Sequence, residues 1–367
     1  MQILDLKLVN FRNYDQLNLS FSKNNIIYGK NGMGKTNLIE AIYVLALTKS
    51  FRSNNEKILL KDDSDFTKII GTVKDEINNN YQINITKSGK LVKVDNNNYK
   101  KISDYISKIK IVLFNPNDLQ IIKDSPSIRR KLLNVSISQF DNQYLKYLSD
   151  YNKILKQRNS YLKTLYINSN MSKDYLDVLT DQLVDLGLKI HKYRGNYITS
   201  INKYITKIYE DICNIKDISV EYVSDYNDLD IEKIKKKYKE NQEKDMLFGI
   251  TRFGVHHDDI YFKFKNKDLK EYGSEGQQKN AIIAYKLAEI SVFKESIGKL
   301  PILILDDLFS ELDVEKINNI LSIIDKDIQT FITTTEIDKI ENSIIKDSKV
   351  FHVTDGNVEE VLQNERK

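Results

Sequence analysis

The chain has 367 residues, 41% of them hydrophobic and 29% charged, with a formal net charge of +4. This composition holds enough apolar material for a sizeable core and excludes a disordered, collagen-like or mucin-like chain. One cysteine, Cys213, excludes a disulfide framework and a cysteine zinc cluster, while the near-balanced charge permits a nucleic-acid partner without requiring one.

The opening, residues 1–14, alternates and carries charge where a secretory signal needs a continuous apolar run. No run of eighteen apolar residues occurs, so a cytoplasmic protein with no membrane span is expected. Ile3, Leu6, Leu8 and Phe11 predict one strand, and Leu17, Leu19 and Phe21 a second. Asn25–Tyr28 predicts a short strand, after which Leu38, Ile39, Ile42, Leu45 and Ala46 recur at helical spacing. Residues 69–94 read as a meander with polar turns, and Ile109–Phe114 as a buried strand.

From Ser127 the character changes to long stretches of Leu, Ile, Tyr and Lys at helical spacing. Leu145, Leu148, Ile154, Leu155 and Leu162 predict one helix, and Leu176, Leu179, Leu183, Leu186 and Ile190 another. Residues 232–245 read as a solvated helix or linker. Ile302–Leu305 and Thr330–Thr333 then predict buried strands, with helices at 281–292 and 314–324 giving the spacing of a parallel sheet. The expected organisation is an α/β domain at 1–126 and 248–367, with an inserted helical domain at 127–247.

Between the third strand and its helix stands Gly29-Lys30-Asn31-Gly32-Met33-Gly34-Lys35-Thr36, a full GxxxxGK[ST] phosphate loop in its proper context. Glycines let the loop turn its N–H groups around phosphate oxygens, and the following helix adds its positive end. Lys35 is expected to reach the β- and γ-phosphates of ATP and Thr36 to give an oxygen to Mg²⁺. Asp306 and Asp307, at the end of the Ile302–Leu305 strand, are the expected magnesium-side carboxylates. Asp306 would hold the metal through water, and Asp307 would orient or deprotonate the attacking water. Their distance along the chain from Lys35 excludes a compact nucleotide kinase or small GTPase. Gly273–Gln278, before a helix, reads either as a turn that receives a γ-phosphate or as a glycine-flanked cap. Residues 310–313 read as a cap and little more.

In this order the segments resemble the ATPase heads of the ABC and SMC class, and more closely the RecF family. The resemblance is carried by LxLxNFRNY at Leu6–Tyr14, GKNGMGKTNLIEAIYVL at Gly29–Leu45, and Ser50-Phe51-Arg52. It continues through Val112–Leu133, Tyr151–Asn159, Gly273–Gln278, PILILDDLFSELD at 301–313 and QTFITTTE at Gln329–Glu336, over nearly the whole chain. It implies an α/β P-loop ABC/SMC-type ATPase head with an inserted all-helical arm. It also implies an ATP-dependent homodimer, in which Ser274, Gly276 and Gln277 of one head close on the γ-phosphate held by Lys35 of the other. Asp313 then belongs to a loop between the two sites, Arg12 contacts nucleotide, and Asn115 stands where relatives carry a magnesium-sensing glutamine.

Three departures from the family pattern stand out. Gly254–Asp259 reads GVHHDD where the family reads GPHRDD, Met33 replaces a glutamine, and Ser274-Glu275-Gly276 has one glycine where the general ABC loop has two. For function, the resemblance implies a weak DNA-stimulated ATPase acting as a switch at duplex near single-strand gaps. It would work at the nucleoid with RecR and RecO-type mediators, direct recombinase loading, and support replication recovery and SOS induction. Arg52, Arg129 and Arg130 are candidates for the DNA-facing surface, or else solvated or paired arginines. The rival readings are an SMC-like head acting mainly as a protein-interaction module, and a transport-type ATPase subunit.

Overall fold

The computed structural model describes residues 1–168, 170–308, 312, 314–340 and 342–362. β1 (Gln2–Phe11) and β2 (Tyr14–Ser20) form an antiparallel hairpin, with Ile3, Leu6, Leu8 and Phe11 turned into the core. β3 (Asn24–Tyr28) leads through the glycine loop into α1 (Lys35–Leu47). Leu38, Ile39, Ala41, Ile42, Val44 and Leu45 of α1 are all fully buried. A helix apolar on every side must be covered on every side, and α1 touches β1 and further strands of two different sheets. β4 (Phe66–Lys74), β5 (Asn78–Thr86), β6 (Gly89–Val94) and β7 (Asn97–Tyr99) form the expected meander. Together with β1 and β2 they make a six-stranded sheet in the order β2-β1-β4-β5-β6-β7. α2 (Ser103–Ile106) precedes β8 (Ile111–Phe114), whose four residues are buried on both faces.

The middle of the chain is dominated by helices. α3 (Gln120–Lys123) and α4 (Pro126–Phe140) are followed by α5 (Asn142–Ile167) and α6 (Asp174–Cys213). Pro126 opens α4, where a missing N–H costs nothing. Contrary to an all-helical arm, Ile218–Val223 is a strand, β9. α7 (Ile231–Phe248) buries Ile234, Tyr238 and Asp245, so residues 232–245 are a packed helix and not a solvated linker. β10 (Asp259–Phe264) pairs antiparallel with β9 and with the short β11 (Lys267–Asp268). α8 (Leu269–Tyr272) and α9 (Glu275–Ile297) follow.

The C-terminal part alternates β12 (Ile302–Asp306), α10 (Val314–Ile323), β13 (Thr330–Thr334), α11 (Asn342–Lys346), β14 (Ser348–Thr354) and β15 (Asn357–Val361). The second six-stranded sheet runs β15-β14-β3-β13-β12-β8, parallel throughout except for β15. Because β3, β13 and β12 are parallel, their C-terminal ends share one edge, the place where open α/β sheets bind ligands.

The chain divides into two compact units. The first is Met1–Asp118, Ile208–Ile215 and Ile283–Lys367, and holds both six-stranded sheets. The second is Leu119–Lys207 and Lys216–Ile282; it runs past residue 247 and so includes Gly273–Gln278. Three arginines are buried inside the second unit, each on an aspartate: Arg129 on Asp259, Arg158 on Asp245 and Arg194 on Asp258. Backbone carbonyls around Arg129, threonines around Arg158, and Tyr144, Asn134 and a carbonyl around Arg194 take up further donors, as a buried charge requires.

Candidate nucleotide site

The glycine loop leaves the C-terminal end of β3 with Gly29, Gly32 and Gly34 at φ of 150°, 85° and 118°. At Gly29 a Cβ would lie 2.3 Å from the carbonyl oxygen of Val353, so both space and φ demand glycine there. The Lys35 ammonium folds back over the loop, donating to the carbonyls of Gly29 at 2.6 Å and Lys30 at 3.0 Å. Burial pulls its pKa below the ordinary lysine value, while the negative charges of Asp307 and Asp306 pull it back up. Asn31 and Gly32 form the exposed tip of the loop.

Two turns brace this loop, the first of them within the Leu6–Tyr14 motif. In the β1–β2 turn, the Asn13 side-chain amide donates to the Met33 carbonyl at 3.4 Å and the Tyr14 hydroxyl to the Gly34 carbonyl at 3.0 Å. In the β14–β15 turn, the Gly356 N–H donates to the same Met33 carbonyl at 3.2 Å. Such long-range contacts have no signal in sequence spacing.

Asp306 ends β12 within the same sheet edge. Its Oδ1 accepts from Thr36 Oγ1 at 3.4 Å and from Thr333 Oγ1 at 2.7 Å. Burial raises its carboxyl pKa, with Thr333 and Thr36 opposing the rise. Asp307 takes a left-handed φ of 49° and donates its N–H to Thr333 Oγ1 at 2.9 Å. Lys35, Thr36, Asp306 and Asp307, separated by some three-quarters of the chain, therefore converge on one edge. A hydroxyl and a carboxylate side by side are hard oxygen donors that suit Mg²⁺ completed by phosphate and water. Among the described residues, no group of three or more His, Cys, Asp and Glu is arranged to hold a metal.

Arg12 lies behind α1 with its guanidinium on Glu40, donating from Nε and Nη2 at 2.8 Å each. The same carboxylate accepts the Ser50 hydroxyl and faces Arg52 at 3.6 Å. Arg52 also donates to Asn37 Oδ1 at 2.8 Å and keeps its side chain 42% exposed. Asn115 is committed to the turn after β8: its N–H and side-chain amide donate to Asp118, and its Oδ1 accepts from the Asn117 N–H.

In the second unit, Ser274 and Gln277 cap α9 reciprocally. The Ser274 N–H donates to Gln277 Oε1 at 2.9 Å, and the Gln277 N–H to Ser274 Oγ at 3.3 Å. Ser274 and Gly276 are exposed, and a Cβ on Gly276 would meet nothing within 4 Å. Asp313 lies outside the described residues, as do 309–311.

Arg129 is spent on internal partners. It is 5% exposed, grips Asp259 bidentately at 2.7 and 2.8 Å, and spends Nη1 on the carbonyls of Ile121, Ile122 and Asp124. Arg130 is partly buried and donates to the Asp258 carbonyl at 2.9 Å. Val255–His257 is a 3₁₀ turn, and His256 bonds Tyr151 at 2.7 Å and the Thr251 carbonyl at 3.0 Å. Asp258 and Asp259 of the same segment hold Arg194 and Arg129, so its charged contacts are internal.

Residues 2–359 match the model of the RecF/RecN/SMC N-terminal domain. The chain is 38% identical to the DNA replication and repair protein RecF of Bacillus cereus (strain AH820), over 98% of both chains. It superposes on the solved recombination mediator protein RecF-ATP of the RecFOR pathway with a TM-score of 0.90 at 31% identity, covering 98% and 97% of the two chains. A Smc head domain from Pyrococcus yayanosii shares the fold alone, with a TM-score of 0.57 at 14% identity over 100% and 98% of the chains. A phosphate loop and a facing aspartate on a parallel sheet, an inserted helical arm and end-to-end similarity lead to one assignment: the chain belongs to the RecF family, with the P-loop ABC/SMC-type ATPase head fold.

Proposed function

We propose that this protein is an ATP-dependent DNA-binding switch of replication and repair, dimerising on ATP at duplex near single-strand gaps. The observation that carries the reading is the convergence of Lys35, Thr36 and Asp306 on one sheet edge in a chain of this family. The solved relative carries ATP in its name and belongs to the RecFOR pathway. On that basis the partners are RecR- and RecO-type mediators, and the outcome is recombinase loading, replication recovery and SOS induction.

The loop N–H groups and Lys35 bind the phosphates of ATP. Thr36 and Asp306 would hold Mg²⁺, Asp306 through water, and the ion would supply neutralising charge to the phosphates. Asp307 positions the attacking water and takes its proton. Ser274, Gly276 and Gln277 of a second copy approach the γ-phosphate, so hydrolysis is slow until two heads meet. Asp313 lies in the segment that passes between the two sites. Arg12 and Asn115 reach the nucleotide only after giving up their present partners, Glu40 and Asp118. Arg52, partly exposed beside the nucleotide site, is the DNA candidate that retains an accessible guanidinium.

The test is binding of duplex and gapped DNA with and without ATP·Mg²⁺, with the mass of the bound species recorded. Two chains on DNA only with ATP support the switch. ATP-driven dimerisation without DNA affinity overturns it in favour of a protein-binding head.

A further inference from the structure

The strand between the phosphate-loop strand and the aspartate strand is β13, and Thr333 stands on it directly opposite Asp306 in parallel register. Neighbouring parallel strands turn register partners to the same face, so the Thr333 hydroxyl and the Asp306 carboxylate meet by construction. Thr333 is 1% exposed. Its single hydroxyl does two things: it donates to Asp306 Oδ1 at 2.7 Å and accepts the Asp307 N–H at 2.9 Å. Thr36 also reaches Oδ1, more loosely at 3.4 Å, and among the described residues no donor reaches Asp306 Oδ2. The carboxylate is thus tethered through one oxygen, with the other left for a ligand. The second bond matters equally, because Asp307 sits at a φ of 49°, a region costly for a residue with a Cβ. Holding its N–H fixes the turn that aims its side chain.

We propose that Thr333 is the positioning residue of the two carboxylates, setting the Asp306 oxygen for Mg²⁺ and the Asp307 turn through one shared hydroxyl. The inference rests on the ATPase reading of this site. Hydrogen-bonded partners behind metal ligands carry about 10- to 100-fold in metal affinity or activity when removed. Thr333→Val keeps the β-branch and loses the hydroxyl; Thr333→Ser keeps the hydroxyl and loses the methyl; Thr333→Ala loses both.

The experiment measures Mn²⁺ binding by electron paramagnetic resonance with a non-hydrolysable ATP analogue, nucleotide binding without metal, and steady-state hydrolysis. The hydroxyl is isolated twice, by comparing Thr with Val and Ser with Ala. Where Val fails to fold, the Ser and Ala pair still decides. The expected result is Mn²⁺ affinity about tenfold weaker and turnover about 10- to 100-fold slower without the hydroxyl. Metal-free nucleotide affinity stays at the parent value, and Ser lies close to the parent. Equal Mn²⁺ affinity in parent and Val, or a Ser variant as impaired as Ala, overturns the role. A parent that binds no Mn²⁺·nucleotide at all defeats the ATPase reading itself, and this inference with it.

Discussion

Arg12 and Glu40 meet through two parallel N–H···O bonds of 2.8 Å each, and the side chain of Glu40 is wholly shut off from solvent. The fork of a guanidinium matches a carboxylate in this way, which lysine cannot do. The pair ties the end of β1 to the middle of α1, so the residue expected to contact nucleotide begins as a structural clamp on the helix that follows the phosphate loop.

Breaking that pair from the carboxylate side leaves a largely buried, uncompensated guanidinium. Glu40→Gln is expected to cost about 3–5 kcal/mol, read as a lower urea midpoint with an unchanged slope. A loss under about 1 kcal/mol, the scale of an exposed pair, would show that Arg12 moves to another partner at little cost.

Lys35→Ala removes the ammonium that caps the loop carbonyls. ATP affinity should drop roughly 10- to 100-fold, the scale of a charge-assisted hydrogen bond, and ATP-driven dimerisation should go with it. Asp307→Asn should retain ATP binding and accumulate the dimer, with hydrolysis lower by about 10²–10⁴. Sedimentation with and without ATP separates the two variants. If both dimerise like the parent, the face-to-face arrangement is wrong.

Arg129 and Arg52 should fail in opposite assays. Arg129→Ala strands Asp259, costs about 3–5 kcal/mol of stability, and leaves the salt dependence of DNA binding unchanged. Arg52→Ala should unfold close to the parent and flatten the slope of log K against log salt by about 1. A changed slope for Arg129→Ala in still-folded protein would return it to the DNA surface.

His256, held between Tyr151 and the Thr251 carbonyl, has its pKa lowered by burial to about 4. A depressed folded-state value means full stability above pH 6.5 and a loss as pH falls towards 4. Linkage sets the loss near pH 4.5 at about 2–3 kcal/mol. Urea melts of the parent and His256→Gln at pH 7 and 4.5 test this: the parent should lose more than the variant, and equal losses would remove His256 as the source.

Much of the site was legible because its chemistry is local in sequence. The loop from Gly29 to Thr36 is contiguous, and four apolar residues followed by Asp306-Asp307 announce a strand exit. What escaped is long-range. Thr333 looks like one more β-branched strand residue until its register against Asp306 is known. Asn13 and Tyr14 brace the loop from 20 residues upstream, and Gly356 from near the other end of the chain. Arg129 stayed open between a DNA-facing and a paired arginine because its partner, Asp259, lies 130 residues on. The strand β9 was passed over between long helices although Ile218, Val220 and Tyr222 alternate with Ser219 and Glu221; the signal is six residues long, and its partner β10 lies some forty residues on.

The position of β3 has a consequence for how the molecule is born. Its two sheet neighbours, β13 and β14, leave the ribosome roughly 300 residues after it, a delay of about 15–60 s at ordinary synthesis rates. For most of that interval the nascent phosphate loop lacks Asp306, and until its end it lacks Thr333 and the brace of Gly356. A chain truncated before β13 therefore lacks Thr333 and Gly356, and both edges of β3 stay open to mispairing until synthesis is nearly finished.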